Sequence, residues 1–393
     1  MRLLFLNHNL LGQGTFLRCN NIAVQLAKQG HRCTLVCVAA ASRYRSTRIE
    51  EHGIEVLIAP SRGGGHYQGG GWGILDILTR MGALSLKGFD LVYAFDHKPS
   101  VALPALLKRY AGRVPLISDW ADWWCRGGHM SIAHNFPLQY GTECFLEENT
   151  KRWSDGVTTI CAALRDRARA LGIPEERLLH LPSGADIDRI RPMDRRKARE
   201  SLGMPRDIHI VGCISANLID ADMLLEAMAK VFAVRRDCRL LFLGPGRGWH
   251  RDLAVALGID SHVIWAGFQP YHRIAEFIAC ADLMALPMRD NLVNRGRWPN
   301  RIGEHMAAGR ATACCAVGDM IHLFGEERIG VLSSPDVEDY CAKVLALLDD
   351  PRAAEEMGAR AREAAERRYS WKAMAVRFCE FLGRLPETSG LRI

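Results

Sequence analysis

Short apolar runs alternate with amphipathic stretches twice along this chain. In the first half, residues 2–7, 33–39, 55–59, 91–95 and 116–118 read as strands, with helices over 16–29 and 101–110. Near-continuous apolar strands separated by helices imply crossover connections and therefore a parallel sheet covered on both faces. The rhythm pauses in the glycine-rich stretch 61–73, which carries His66, Tyr67 and Trp72 and reads as a mobile loop. Beyond an arginine-rich passage over 189–199 the alternation restarts, with strands expected at 208–215, 239–244, 262–265, 283–287 and 311–316. The tail is helical by its spacing over 351–368 and 370–382, and opens on an Asp350-Pro351 cap. The expected organisation is a Rossmann-like domain over 1–190, a second over 191–350, and a helical segment over 351–393 packing back toward the first. Two such domains leave a cleft at the carboxyl ends of their strands, where ligands bind in open α/β sheets.

Length supports this division, because 393 residues exceed what one hydrophobic core usually serves. Composition excludes disorder, with 48% hydrophobic and 24% charged residues. The net charge of +7 is mild and its basic residues are scattered, which favours small anionic ligands or an anionic membrane surface over nucleic acid. Arg165, Arg167 and Arg169 permit peripheral membrane contact on one helix, although a solvated face is the ordinary reading. The 13 cysteines sit mostly inside apolar runs and include no C-x-x-C, so buried free thiols in a reducing cytoplasm are expected and a zinc site is not. The apolar start is interrupted by Asn7, His8 and Asn9, which suits a first strand better than a leader peptide. No stretch approaches the ~20 apolar residues of a membrane span.

The chemistry concentrates in Trp298-Pro299-Asn300-Arg301-Ile302-Gly303-Glu304-His305-Met306-Ala307-Ala308-Gly309-Arg310. A strand ending at Pro287, a polar loop, and a proline opening a helix that stops at a glycine place free backbone N–H groups where a phosphate binds. Glu304, on the first turns of that helix, is placed to accept two hydrogen bonds from a sugar diol. Together these features suit a nucleotide.

The order of Leu181-Pro182-Ser183-Gly184-Ala185-Asp186, Leu241-Phe242-Leu243-Gly244-Pro245-Gly246, Val263-Ile264-Trp265-Ala266-Gly267-Phe268, Ala281-Asp282-Leu283, Glu304-His305-Met306-Ala307-Ala308-Gly309 and Tyr369-Ser370-Trp371 resembles the retaining glycosyltransferases of the GT-B fold, family four. The resemblance implies a transferase moving a sugar from a nucleotide-diphosphate sugar to a hydroxyl acceptor, which is a glycan, a lipid-linked glycan or a small molecule. It implies retention of anomeric configuration, no metal and no other cofactor. Glu304 matches the second glutamate of the family's paired-glutamate motif, which holds the nucleotide ribose. Gly267 and Phe268 match the strand end where the base lies, and Gly12 and Gly14 match the glycine-rich turn that approaches the donor phosphates or the acceptor. Ser215, Gly244, Asn294 and Asn300 complete the donor-side candidates.

Two departures from the family pattern stand out. Gly296 occupies the position of the first motif glutamate, and residues 213–229 lack the arginine and lysine that normally neutralise the diphosphate. Arg295, Arg297 and Arg301 are the nearest cations, and Arg297 with Arg301 are expected to replace the missing pair. On the acceptor side, Asp96-His97-Lys98 and Ser118-Asp119-Trp120-Ala121-Asp122-Trp123-Trp124 follow strands of the first sheet. Asp119 is the first candidate to orient the acceptor hydroxyl, Asp122 the second, and His97 a third polar neighbour. Trp123 and Trp124 offer faces to a sugar or lipid, or simply pack. Within the same resemblance, the loop over 61–73 reads equally as a solvated linker or an acceptor-side lid. The rival readings are a GT-B-like protein that binds a nucleotide sugar or glycan without catalysis, and a nucleotide-sugar epimerase.

Overall fold

A computed structural model describes residues 1–40, 45–60, 70–83, 88–132, 137–214, 220–244 and 248–388. Two compact units emerge, Met1–Ser183 with Gly296–Trp298 and Trp371–Ile393, and Gly184–Arg295 with Pro299–Ser370.

The first unit is built on an eight-stranded sheet among the described residues, in the order β3-β4-β2-β1-β5-β6-β7-β8. The strands are β1 Arg2–Leu10, β2 Arg32–Val38, β3 Thr47–Glu51, β4 Ile54–Ala59, β5 Leu91–Phe95, β6 Leu116–Trp120, β7 Gly156–Thr159 and β8 Leu178–His180. Leu3, Leu4, Phe5 and Leu6 are buried on both faces of the central strand, which is why the sequence shows a run there and no alternation. All pairings are parallel except β3 with β4, an antiparallel edge that the crossover pattern does not anticipate. The short strands β7 and β8 and the helices Ile74–Ala83, His129–Ile132 and Pro137–Arg152 also escape the hydrophobic pattern. Residue 119 lies within β6, paired in register with Phe95 and Thr158, and not in a loop after the strand.

The second unit carries a six-stranded sheet in the order β11-β10-β9-β12-β13-β14 among its described residues. Its strands are β9 His209–Ile214, β10 Cys238–Leu243, β11 Val263–Gly267, β12 Leu283–Leu286, β13 Thr312–Cys315 and β14 Gly330–Ser333, all parallel where paired. β14 is an addition to the expected set.

The tail expected over 351–393 divides at Ser370 instead of acting as one segment. The Asp350 carboxylate does cap the helix Pro351–Ala364 by accepting from the Ala353 N–H at 2.9 Å. A π-helical turn, Ala365–Tyr369, follows, and the chain is then tied to the second unit by the Tyr369 carbonyl, which accepts from the Ala185 N–H, and by a bridge between Ser370 and Ala185. The helix Trp371–Arg384 instead buries Trp371, Met374, Phe378 and Phe381 in the first unit's core, with Phe378 stacked on Tyr93 at 4.5 Å. The unit boundary likewise falls at Ser183/Gly184, earlier than the expected 190/191. No described helix is long and apolar enough to cross a membrane.

Candidate functional site

In the first unit, the polar residues at the carboxyl ends of β5 and β6 are organised by the helix Pro137–Arg152. Glu143, Glu147 and Lys151 recur every four residues, so they share one helix face, and that face is buried. Glu143 serves the end of β5, Glu147 the end of β6, and Lys151 both. Glu143 accepts from Trp72 Nε1 at 2.6 Å and pairs with Lys98 Nζ and with His97 Nε2 at 3.1 Å. Glu147 accepts from Trp120 Nε1 at 2.9 Å, from the N–H groups of Trp124 and Cys125 at 3.2 and 3.0 Å, and from Arg167 at 3.1 Å. Lys151 Nζ donates to Ser118 Oγ and the Asp119 carbonyl, both at 2.8 Å, and to the Asp96 carbonyl at 3.4 Å.

His97 is fully buried between Asp96, 2.9 Å from Nδ1, and Glu143. Burial disfavours its charge, but the two carboxylates outweigh burial and raise its pKa. Reciprocally, His97 and Lys98 overcome burial to hold Glu143 down to about 2. His97 is thus a buried ionic strut, closed off from an acceptor. Asp96 sits beside it at φ +79°, a left-handed conformation costly for a residue other than glycine. Gly71, also at positive φ, lets its segment press onto Lys98, where a Cβ would fall 2.3 Å from the lysine Cβ. Of the loop expected over 61–73, residues 61–69, including His66 and Tyr67, lie outside the described residues.

Asp119, the leading catalytic candidate, has no exposed surface. It receives Arg18 in a two-pronged pair at 2.9 and 3.0 Å, with Thr158 Oγ1 at 2.5 Å and the Tyr93 hydroxyl at 3.3 Å. Its oxygens are occupied because the strand register turns them into the core toward Arg18, itself buried, so the reading of Asp119 as an acceptor-orienting group is corrected. Asp122 is different. Its side chain retains 29% exposure and lies 3.7 Å from His129 Nε2. Crowding by the surrounding protein raises its pKa and the Asp96 charge adds to this, against His129 and Arg297. Sequence reasoning missed His129, which a sharp turn delivers: Gly128 packs so tightly that a Cβ would meet the Trp123 carbonyl at 2.0 Å, and the His129 N–H donates to that carbonyl. Trp124 lies 4.3 Å beneath Lys98 Nζ and Trp123 against Arg167, so both pack on cations.

Gly12 and Gly14 adopt positive φ, as a tight turn requires. Gly14 also allows close approach to Asn9, whose Oδ1 accepts from the Thr15 N–H at 3.1 Å, while Asn7 Nδ2 donates to Thr15 Oγ1 at 2.8 Å. The polar interruption of the first apolar run therefore braces the turn. Arg165, Arg167 and Arg169 are ion-paired with Glu175, Glu147 and Glu148, and Asp166, which removes them as a free basic face.

In the second unit, Pro299 precedes the helix Asn300–Ala307, as expected. Gly303 lets that helix dock on the 181–186 motif, since a Cβ there would lie 3.2 Å from the Gly184 carbonyl. The docking brings Asp186 into the electrostatic field of Glu304, with Tyr271 alongside. Glu304 is half-buried, and no described residue donates to its carboxylate. Desolvation pushes its pKa up to about 7, with Asp186 reinforcing and Arg301 opposing. Arg301 has no ion-pair partner among the described residues. Asn300 is exposed at the helix start.

Of the two arginines expected to act together, Arg297 belongs to the first unit, in the field of Asp122, and Arg301 to the second, in the field of Glu304. Arg295 is exposed and paired with Asp290. Asn294 is buried, with Nδ2 donating to Asp220 and to the Arg289 carbonyl at 2.9 and 2.7 Å, so it holds its loop and is not a donor ligand. Gly244 and Gly267 lie at adjacent strand ends, the Gly244 N–H donating to the Gly267 carbonyl at 2.8 Å. Phe268 beyond them is 79% exposed. Ser215 lies outside the described residues.

The Glycosyl transferase 4-like domain profile matches residues 13–184, and the Glycosyl transferases group 1 profile matches 205–350. The chain belongs to the group 1 glycosyl transferases. Among curated relatives, a GDP-mannose-dependent monoacylated alpha-(1-6)-phosphatidylinositol monomannoside mannosyltransferase of Corynebacterium glutamicum is 29% identical, over 53% of this chain and 56% of that protein. A D-inositol 3-phosphate glycosyltransferase of Catenulispora acidiphila is 31% identical, over 55% and 52%. The chain spans about half the length of these relatives in the matched regions. Among solved structures, sucrose-phosphate synthase from Thermosynechococcus elongatus superposes with a TM-score of 0.79 at 15% identity, covering 98% of each chain. HepE from Anabaena, solved with UDP and glucose, gives 0.75 at 18% identity, covering 98% of this chain and all of that one. These likenesses establish the GT-B fold for this group 1 glycosyl transferase.

Proposed function

We propose that this chain is a retaining, metal-independent glycosyltransferase that uses a nucleotide-diphosphate sugar and a hydroxyl acceptor. The observation that carries this is Glu304, a carboxylate to which no described residue donates, on the first turns of a helix beside Arg301, which has no ion-pair partner among the described residues. Such a group is suited to a ribose diol, which supplies the two hydrogen bonds the protein withholds. Arg301 and the helix N-terminus compensate the charge that develops on the departing diphosphate. In the transfer, the bond from the anomeric carbon to the diphosphate oxygen breaks, the acceptor oxygen bonds to the same face, and its proton passes to the leaving phosphate. Asp122, with His129 behind it, orients the acceptor hydroxyl.

The names of the relatives favour an acceptor bearing an inositol or a lipid-linked glycan. The exposed apolar side chains Ile74, Leu75 and Leu78 support peripheral membrane contact. The test is incubation with GDP-mannose and UDP-glucose, each with inositol 3-phosphate or phosphatidylinositol monomannoside in micelles, reading nucleotide release and product. Acceptor-dependent release from one donor is expected. Donor binding without release under any pairing, with or without metal, would favour the non-catalytic rival.

A further inference from the structure

Lys151 is fully buried, and no described carboxylate lies within ion-pair distance of it. An ammonium taken out of water without a contacting counter-ion is costly, and such sites survive when every N–H is directed at an acceptor. Here the three N–H groups have three oxygens: Ser118 Oγ, the Asp119 carbonyl and the Asp96 carbonyl. Two of these belong to the strand ends from which His97, Lys98 and the turn bearing Asp122 depart. The Asp96 N–H also donates to the Asp119 carbonyl at 3.3 Å, so the same oxygen ties both strand ends together. Asp96 is the residue held at φ +79°, and strain of that kind persists only where the surroundings over-determine the conformation.

We propose that Lys151 is a positioning residue for glycosyl transfer, a buried clamp that joins the ends of β5 and β6 and thereby sets the acceptor-side turn carrying Asp122. This rests on the reading of Asp122 as the group that orients the acceptor. The clamp depends on the proton. Burial brings the Lys151 pKa down to about 8, against the raising influence of Asp96, Asp119 and Glu147 and with Arg167 lowering it further. Below that pH the ammonium serves all three oxygens. Above it, the neutral amine has only two N–H groups and turns a lone pair toward a carbonyl, so the two strand ends lose a shared tie.

The side chain lies 5.8 Å from the Trp120 ring, which gives a readout that needs no substrate. Near-ultraviolet circular dichroism of the wild-type protein, titrated from pH 7 to 10, is expected to show a tryptophan transition centred near pH 8. Lys151→Met should lack it, and Lys151→Arg should lack it below pH 10 because the guanidinium keeps its charge. With GDP-mannose and phosphatidylinositol monomannoside in mixed micelles, Lys151→Met should lower acceptor kcat/KM by roughly tenfold or more while GDP binding by calorimetry stays within about twofold. A wild-type signal flat across that range, or a transition that persists in Lys151→Met, overturns the clamp. If Lys151→Met does not fold, Lys151→Arg decides: the alkaline limb of its acceptor kcat/KM must move up by more than about one pH unit, and an unmoved limb overturns the proposal. Impaired Asp122→Asn beside unimpaired Lys151→Met overturns the clamp alone. Fully active Asp122→Asn overturns the acceptor-side reading and the positioning role with it.

Discussion

The carboxylates at the ends of β5 and β6 in the first unit are matched by cations and N–H groups, whereas the helix Asn300–Ala307 of the second leaves a carboxylate and an arginine open. Around β5 and β6, Asp119 is matched by Arg18, Glu143 by Lys98 and His97, and Glu147 by Arg167 and three N–H groups. Around the helix Asn300–Ala307, Glu304 and Arg301 have no such partners among the described residues, and Asp186 acts on Glu304 as a like charge. Buried groups that satisfy one another fix backbone, while a half-exposed carboxylate left unsatisfied is an address for a ligand. Two carboxylates of similar appearance in the sequence, Asp119 and Glu304, therefore have opposite physical roles.

The largest expected effect breaks the closed side. Arg18→Met strands Asp119 in the core and should cost about 3–5 kcal/mol in denaturant unfolding, whereas Arg301→Met should change stability by less than about 0.5 kcal/mol. Equal losses would erase the contrast.

The next falls on the open side. Glu304→Gln should weaken nucleotide-diphosphate binding by about 1–3 kcal/mol in a calorimetric titration without lowering stability, because the amide resembles the protonated carboxyl that burial already favours.

Protonation sharpens the same contrast. With the Glu304 pKa near 7, the ionised fraction falls about tenfold between pH 8 and pH 6, and nucleotide affinity should fall with it. Glu304→Gln should flatten that dependence. Because the folded pKa lies above the unfolded one, the group's contribution to stability is complete below about pH 4.5 and is lost as pH rises through about 7. The ligand-free protein should accordingly lose stability, modestly, over the range in which it gains affinity. Thermal melts with and without nucleotide across this range would show the opposing trends.

Asp122→Asn should likewise change stability by no more than about 0.5 kcal/mol, since its partly exposed carboxyl has His129 at 3.7 Å as its one ion-pair partner among the described residues. Turnover should fall while nucleotide binding is retained, as measured by initial rates beside calorimetry. Loss of nucleotide binding in this variant would move Asp122 out of the acceptor role.

The central strands, the helix opening after Pro299 and the candidacy of Glu304 were legible because each has a local cause: apolar runs for doubly covered strands, a proline at a helix start, a glycine permitting close approach. The helix Pro137–Arg152 was not, although Glu143, Glu147 and Lys151 mark one face at four-residue spacing. Its buried face is polar, so hydrophobic periodicity is blind to it, and only the spacing of charged residues offered a signal. Asp119 was misread for a related reason, since a residue that ends an apolar run looks like a loop residue until the register with Phe95 and Thr158 extends the strand. By itself the sequence determined the two alternating α/β units and a helix start poised for an anion, because propensity, patterning and caps act over a few residues. Which carboxylates are used up and which remain open was decided only by tertiary structure. Arg18 reaches Asp119 from 101 positions away and Lys98 meets Glu143 across 45, and no local pattern encodes such encounters.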